Sequence, residues 1–347
     1  MKRLSVLTML LAALSLAGAV RQAAAEDAAD FYRGKRINLV IGFGTGGYDL
    51  YARLFARFLG EHVPGQPTIV PQNMPGAGSR RAANWLYSVA AKDGTVIAVL
   101  GQATPTDQAL GEPGVAFDAR RFNWIGNLVV VNNIMFVSAA SGVATIDEAR
   151  KKPLSIGASG ASSPSVLYPQ VSNNLLGTKF KVIPGYAGGG DINLAVERRE
   201  LDGRGSDSWA TMKSTHSDWL RDRAINILFQ VGPRRERDLR DVPLWSELGA
   251  NNDQRRVLEL LSGDVAVGRP IIAPPDVPAD RVEALRRSFD ATVADPQFIA
   301  AARQANMDMN PMGGEELQNL VAQIVAPPQR ILSMVKQAAQ AGQVPRN

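Results

Sequence analysis

The chain has no cysteine and only two histidines in 347 residues. Without cysteine there is no disulfide, no thiolate metal ligand and no lipid-bearing residue behind a leader. His62 and His216 lie far apart, with no second histidine at helical ligand spacing, so no metal centre is expected. His62 ends a helical pattern and His216 sits near Asp218, and both read as structural residues. A Ser-His-Asp hydrolase would need one of them as base, and no G-x-S-x-G elbow is present. Charge of one sign is also scarce: 38 Lys and Arg face 33 Asp and Glu, a net +5. Internal repeats and low-complexity tracts are absent. Beyond the N-terminus, no run approaches the roughly 20 apolar residues of a membrane span. These absences leave no catalytic residue, metal or cofactor to name, and no membrane-spanning core.

The N-terminus is the exception. Lys2 and Arg3 precede an apolar run from Leu4 to Val20, and Ala23-Ala24-Ala25 follows. A charged start, a short apolar core and an A-x-A exit read as a secretory signal peptide over residues 1–25, cleaved after Ala25. The alternative is an uncleaved anchor, for which the run is short. Cleavage removes Lys2, Arg3 and Arg21 and no acid, so the charge falls from +5 to +2. That is too mild to imply nucleic acid or a membrane surface as partner. An exported chain without cysteine fits the Gram-negative periplasm, and its length suggests two domains.

Short β-branched runs alternate with helical patterns, which predicts an α/β fold with mostly parallel strands. Strands are expected at 37–43, 68–72, 95–100, 128–137, 154–157, 181–183, 225–231 and 265–272. The first runs directly into Gly42-Phe43-Gly44-Thr45-Gly46-Gly47-Tyr48-Asp49, and an amphipathic helix follows. Leu50, Leu54 and Phe58 form one apolar row, with Tyr51, Phe55 and Leu59 beside it. Glycines let backbone approach a ligand, and the free N–H groups of a helix start favour an anion. Similar turns recur at Asn73-Met74-Pro75-Gly76-Ala77-Gly78, at residues 157–164 and at residues 185–191. There Ser163 suits an N-cap and Pro164 the first helical position. Loops at the carboxyl ends of strands can converge on one cleft.

Gly42, Gly44 and Gly47 also match the dinucleotide pattern G-x-G-x-x-G. The second strand, however, ends in Pro71-Gln72-Asn73, where a ribose-binding acid belongs. A phosphate-binding Walker loop fails, because Tyr48-Asp49 replaces Lys-Ser/Thr. The five tryptophans, 85, 124, 209, 219 and 245, are scattered and suit packing rather than ligand stacking.

An ordered series of motifs resembles one family. It begins with Phe31-Tyr32-x-Gly34-Lys35, Gly46-Gly47-x-Asp49-x-x-Ala52-Arg53 and the Asn73–Gly78 turn. It continues through Lys92-Asp93-Gly94-Thr95, Phe122-x-Trp124-Ile125-Gly126 and Gly157-x-Ser159-Gly160-x-x-Ser163-Pro164-Ser165. Gly185-Tyr186-x-Gly188 and Asp241-Val242-Pro243-Leu244 complete it. The chain thus resembles the substrate-binding component of tripartite tricarboxylate transporters, the Bug receptors. The resemblance implies a two-domain periplasmic-binding-protein clamshell of type II-like α/β architecture, with the ligand in the interdomain cleft. Domain 1 is then expected at 26–129 plus 262–347 and domain 2 at 130–261. It further implies no enzyme and no cofactor, but a monomeric receptor for a small carboxylate that serves two membrane subunits.

The ligand-binding residues implied are Phe43, Gly44, Thr45, Gly46, Gly47, Tyr48, Asp49 and Thr104 on the first domain. On the second they are Ser159, Ala161, Ser162, Ser163, Tyr186, Gly188 and Asp207. Asp49 is read as organising its loop, since its charge repels an anion. Where many members have Pro-Gly-Gly, this chain has Gly44-Thr45-Gly46-Gly47, followed by the ring of Tyr48. Pro169 removes one hydrogen bond from its helix and favours a kink. A periplasmic enzyme, in its sharpest form a dinucleotide-dependent dehydrogenase, and a ligand sensor for a kinase are the competing classes.

Expressed with its own leader in a Gram-negative host, the mature protein should leave with the periplasmic fraction. N-terminal sequencing should begin at Glu26, and full-length protein in the membrane fraction would refute the leader reading.

Overall fold

The computed structural model describes residues 28–130, 132–160, 163–326 and 329–340. The expected leader, Ala161 and Ser162 therefore lie outside the described residues. Two mixed sheets carry the architecture, rather than the mostly parallel arrangement expected. The first has the order β11-β4-β10-β3-β1-β2. Its strands are β1 (Arg36–Ile41), β2 (Thr68–Asn73), β3 (Val96–Val99), β4 (Asn123–Asn127), β10 (Pro270–Ala273) and β11 (Met312–Gly313). The second has the order β7-β6-β8-β5-β9, with β5 (Asn133–Ser138), β6 (Leu154–Gly157), β7 (Phe180–Ile183), β8 (Gly203–Ser208) and β9 (Ile225–Val231).

Both sheets follow one plan. Three neighbouring strands are parallel, β2-β1-β3 in one sheet and β7-β6-β8 in the other. An antiparallel strand then joins the trio, β10 beside β3 and β5 beside β8. Parallel strands present their carboxyl ends, and antiparallel strands their amino ends, at the same edge. This is why β10 and β5 bring their first residues to the place where the glycine loops gather.

Alternation along the strands builds a core on each face. Ile37, Leu39 and Ile41 of β1 enter one core with Tyr51, Phe55 and Leu59, while Val40 enters another with Ala82, Leu86 and Leu317. Met135 and Val137 of β5 likewise face Tyr168 and Trp245, and Ile134 and Phe136 face Ile192 and Trp219. Trp124, Trp209, Trp219 and Trp245 are buried packing residues, as their scatter suggested. Leu50 leaves its expected row and is 40 % exposed.

The chain crosses between sheets where a single strand was expected at 128–137. β4 ends at Asn127 and β5 begins at Asn133, so the start of the apolar run is the crossing itself and only its second half, from Asn133, is strand. The return crossing replaces the start of the strand expected at 265–272 with a 3₁₀ turn, Gly263–Val267, before β10. Asn127 ties the crossings together. Its Oδ1 accepts the Arg269 amide at 2.6 Å, and its Nδ2 donates to the Ala266 carbonyl at 3.3 Å. The expected division places all of 262–347 with the first sheet. The helix Gln329–Gln340 instead buries Val335 and Ala338 in the core that holds Tyr168 and Trp245.

The first glycine loop is held by Asp49. Asn73 Nδ2, at the end of β2, donates to the Asp49 carboxylate at 2.7 Å and to the Phe43 carbonyl at 2.9 Å. Arg53 closes the set, with Nε 2.9 Å from the carboxylate and Nη2 2.7 Å from Asn73 Oδ1. Hydrogen bonds to a charged group contribute about 1.5–3 kcal/mol each, and less at an exposed partner such as Arg53. Asp49→Ala should lower the unfolding free energy by about 1–3 kcal/mol. Urea denaturation checks this, and a loss below about 0.5 kcal/mol would show that the loop does not depend on Asp49.

Candidate functional site

Loops from the two sheets meet over a narrow cleft of about 60 Å³. The Gly44 amide donates to the Ala187 carbonyl at 3.0 Å, and the Gly190 amide to the Thr45 carbonyl at 3.1 Å. This contact leaves no room for a side chain at Gly188, where a Cβ would overlap the Thr45 carbonyl oxygen. Gly46 has φ 140°, a conformation open to glycine, and its missing Cβ faces the Gly189 amide. At the neighbouring contact, a Cβ on Gly160 would overlap the Gly78 backbone.

Helix starts converge behind these loops. Gly46 is the N-cap of the helix Gly47–His62, Ser163 that of Pro164–Leu176, and Gly188 that of Gly189–Glu197. None receives a hydrogen bond from its N-cap side chain. Ser163 was expected to cap with its hydroxyl. That hydroxyl instead donates to the Gly160 carbonyl at 2.8 Å and lies 2.6 Å from Ser165 Oγ, which shapes the loop.

The cleft also holds two arginines that sequence reasoning missed. Arg269 comes from the amino end of β10 and is 4 % exposed. Its guanidinium lies 4.0 Å from the centroid of the Tyr48 ring, and Tyr48 stacks on Phe43 at 4.4 Å. A Cβ on Gly47 would approach Arg269 Nη2 to 3.2 Å, so this cation sits against a helix start. Arg204 comes from β8, and its side chain is 11 % exposed. Its Nη1 bonds Asp207 at 2.6 Å and Asn193 at 3.1 Å. A Cβ on Gly189 would overlap its guanidinium, which places a second cation against a second helix start. Burial lowers the Arg204 pKa, the Arg269 charge adds to this and Asp207 opposes it, but a guanidinium stays protonated. The Nε–H groups of Arg204 and Arg269 are both buried without a hydrogen-bond partner. Gln102, Asn133, Ser206 and Ser208 complete a polar lining, with Ile192 as an apolar wall.

The structure brings most of the expected residues together. Phe43, Gly44, Thr45, Gly46, Gly47, Tyr48, Ser159, Ser163 and Asp207 line the cleft. Asp49 does not, because its carboxylate turns away to Asn73 and Arg53. Thr104 does not either: its hydroxyl donates to the Gly101 carbonyl at 2.7 Å. Tyr186 lines an adjoining outer pocket with Pro75 and Gly160. Gly188 serves the contact between loops. The Gly190 amide is occupied by the Thr45 carbonyl. Arg269 left one signal, a lone charge inside the apolar run from Val265 to Ala273. Arg204 left a weaker one, a charge three residues before an acid in a segment otherwise of glycine and serine.

Among the described residues no cluster of acids and histidines could hold a metal ion. Nor is any helix there long and apolar enough to cross a membrane. His62 pairs with Asp295 at 3.0 Å, and His216 stacks on Trp219 at 4.3 Å. Burial lowers the pKa of His216.

Solved structures share this fold. The periplasmic binding protein BugD superposes with a TM-score of 0.71 at 22% identity, over 88% of this chain and 98% of that one. MatC from Rhodopseudomonas palustris, solved with bound malate, gives 0.68 at 20% identity, over 86% and 99%. An R. palustris protein solved with adipate gives 0.68 at 20% identity, over 87% and 97%. A search among curated proteins gave no significant match. The model of the tripartite tricarboxylate transporter family receptor matches residues 52–336. The chain therefore belongs to that receptor family, and its two α/β units have the fold of periplasmic binding proteins.

Proposed function

We propose that this receptor captures a small organic carboxylate in the cleft between its two sheets and presents it to the membrane subunits of a tripartite transporter. One observation carries the reading: two buried guanidiniums from different sheets line one cleft, each against a helix start and each with an unpartnered Nε–H. Positive side chains at the positive ends of helices repel, and an anion between them relieves that repulsion. Micromolar affinity needs about 8 kcal/mol. Helix starts contribute about 0.3–1 kcal/mol each, whereas hydrogen bonds to charged groups contribute about 1.5–3. Direct arginine contacts therefore carry more of the affinity than the glycine-loop amides do.

In this reading the protein works in the periplasm as a monomer, after removal of residues 1–25, without catalysis or cofactor. The units are 26–129 plus 262–326, and 130–261 plus the helix Gln329–Gln340. Malate bound to MatC and adipate bound to the second R. palustris protein support a carboxylate here. The polar lining favours acids that carry further hydroxyl or carboxyl groups.

A thermal-shift screen over mono-, di- and tricarboxylates should raise the melting temperature with at least one member, because ligand bound to the folded state stabilises it. With that acid, Arg269→Gln should weaken binding about 10- to 100-fold by calorimetry. Wild-type affinity in the variant would remove Arg269 from the site. A panel of nucleotides or cations that shifts the melting temperature while every carboxylate fails would overturn the carboxylate reading.

Gly188→Ala tests the contact between loops. The methyl group cannot fit beside the Thr45 carbonyl, so the ligand-saturated variant should bind at least about tenfold more weakly. Small-angle scattering should also show it more open than the saturated wild type. Identical scattering and affinity would show that the loops need not meet.

A further inference from the structure

Asp264 lies in the 3₁₀ turn Gly263–Val267 of the return crossing and is 2 % exposed. Its Oδ1 accepts the Tyr168 hydroxyl at 3.0 Å, while Oδ2 is buried without a hydrogen-bond partner. The Tyr168 oxygen lies 3.4 Å from Nδ2 of Asn133, which lines the cleft from the second sheet. From the first sheet, Gln102 lines the cleft beside Asp264, and its Nε2, like Asp264 Oδ2, is buried without a hydrogen-bond partner. The Gln102 backbone N–H donates to the Tyr48 hydroxyl at 3.0 Å, beneath Arg269. One buried carboxyl group thus lies beside the Gln102 amide and is linked to the Asn133 amide through the Tyr168 hydroxyl.

The titratable groups that face Asp264 are Tyr168, from the helix Pro164–Leu176, and Tyr48, from the first loop. Burial raises both phenol pKa values, so both stay neutral near pH 7. The other elements packed on the turn present apolar side chains: Val257, Leu258 and Leu261 before it, and Leu317 and Val321 from the helix Gly314–Val325. Among the described residues no cation pairs with the Asp264 carboxyl. Burial pushes its carboxyl up to about 7, with Tyr168 and Gln102 opposing.

We propose that Asp264 is a positioning residue that couples proton uptake to anion capture, acting on the ligand through Gln102 and Asn133. The inference rests on the carboxylate reading above. An anion entering the cleft adds negative charge beside a buried carboxylate and favours its neutral form. The proton comes from solvent and adds to Oδ2, and no other bond forms or breaks. Ionised, Asp264 attracts the Gln102 Nε2 group. Protonated, it becomes a donor to Gln102 Oε1, and the amide turns its N–H toward the cleft, where it serves the anion.

The sign follows from linkage. The bound state holds more protons than the free state, so affinity is highest below about pH 7 and falls as pH rises through it. In the free protein the folded pKa lies above the unfolded value of about 3.9. Stability therefore falls between about pH 4 and pH 7 for this group.

The test is calorimetry on the mature wild type, Asp264→Asn and Tyr168→Phe with the acid found by the screen. Measurements run from pH 6 to 8.5 in two buffers of different ionisation enthalpy. Wild type should take up a proton on binding and weaken about tenfold across that range. Asp264→Asn, a mimic of the neutral acid, should bind with no pH dependence and keep the tight low-pH affinity. Tyr168→Phe removes a bond to the ionised carboxylate and should move the midpoint to higher pH. Binding that is tight and pH-independent in wild type, or an unchanged pH profile in Asp264→Asn, overturns the proton coupling and leaves the carboxylate reading intact. If no acid binds even at pH 6, that reading fails. Urea denaturation without ligand then decides the titration itself: the stability difference between wild type and Asp264→Asn must change between pH 5 and pH 8, and a constant difference overturns the proposal.

Discussion

Positive charge held out of water is the constraint on which the rest of the cleft depends. Arg204 and Arg269 are buried, and each guanidinium lies against the first residue of a helix. A buried cation without a full set of partners costs several kcal/mol, and the partial positive charge of a helix start adds to that cost. The fold limits the penalty in two ways. Asp207 neutralises Arg204 at 2.6 Å, and the face of the Tyr48 ring receives Arg269 at 4.0 Å. A cation over an aromatic face gains about 0.5–2 kcal/mol, less than an ion pair in the same place. Arg269 therefore keeps the larger share of uncompensated charge. It also sits at the crossing between sheets, bonded through its backbone to Asn127.

The glycines act on a different link of the same chain of causes. A charge seat between two sheets works only if both sheets can reach it. Gly188 and Gly160 allow backbone to meet backbone at two places where a methyl group would force the loops apart. Asp49 fixes one side of this contact by holding the Phe43 carbonyl through Asn73. It does so from outside the cleft, so its negative charge organises the loop without opposing an anion. The loop is tied to the first sheet through Asn73, and it meets the second sheet through two backbone hydrogen bonds.

Much of this was legible in the sequence, for definable reasons. Glycine loops behind β-branched runs announce strand ends, and periodicity located the helix Gly47–His62. The crossings were hidden because an apolar run does not say which sheet it joins. The run 128–137 reads as one strand, yet the chain changes sheets before Asn133. β8 was missed because Gly-Arg-Gly-Ser-Asp-Ser has no β-branched residue. It is a strand through its ladder to β5 and β6, where small residues are required by close packing: a Cβ at Gly205 would overlap the Ser165 carbonyl. The same small residues leave room for Arg204. One of the site's two charges, Arg204, was thus written in a segment with little secondary-structure signal. Ser163 shows the converse. Its position was read correctly and its bonding was not, because a hydroxyl chooses between helix and loop partners according to tertiary contacts.

The pairing of Arg204 with Asp207 also bears on what the cleft selects. An acid placed beside a would-be anion seat looks like a fault, because it repels the ligand. It orients as well as neutralises, however. One carboxylate oxygen accepts Arg204 Nη1, and the other accepts the Ser208 amide at 2.8 Å. Nη1 is thereby engaged by Asp207 and Asn193, while the buried Nε–H has no hydrogen-bond partner. In the proposed reading, a carboxylate at this arginine meets a guanidinium already paired with Asp207, whereas Arg269 lies over the Tyr48 ring instead. The two halves of the cleft are therefore unequal. An acid with two different ends gains from that inequality, while a symmetric diacid must accept one weaker contact. Under the carboxylate reading proposed above, discrimination between them comes from the electrostatic contrast across the cleft, which Asp207 sets by pairing with Arg204.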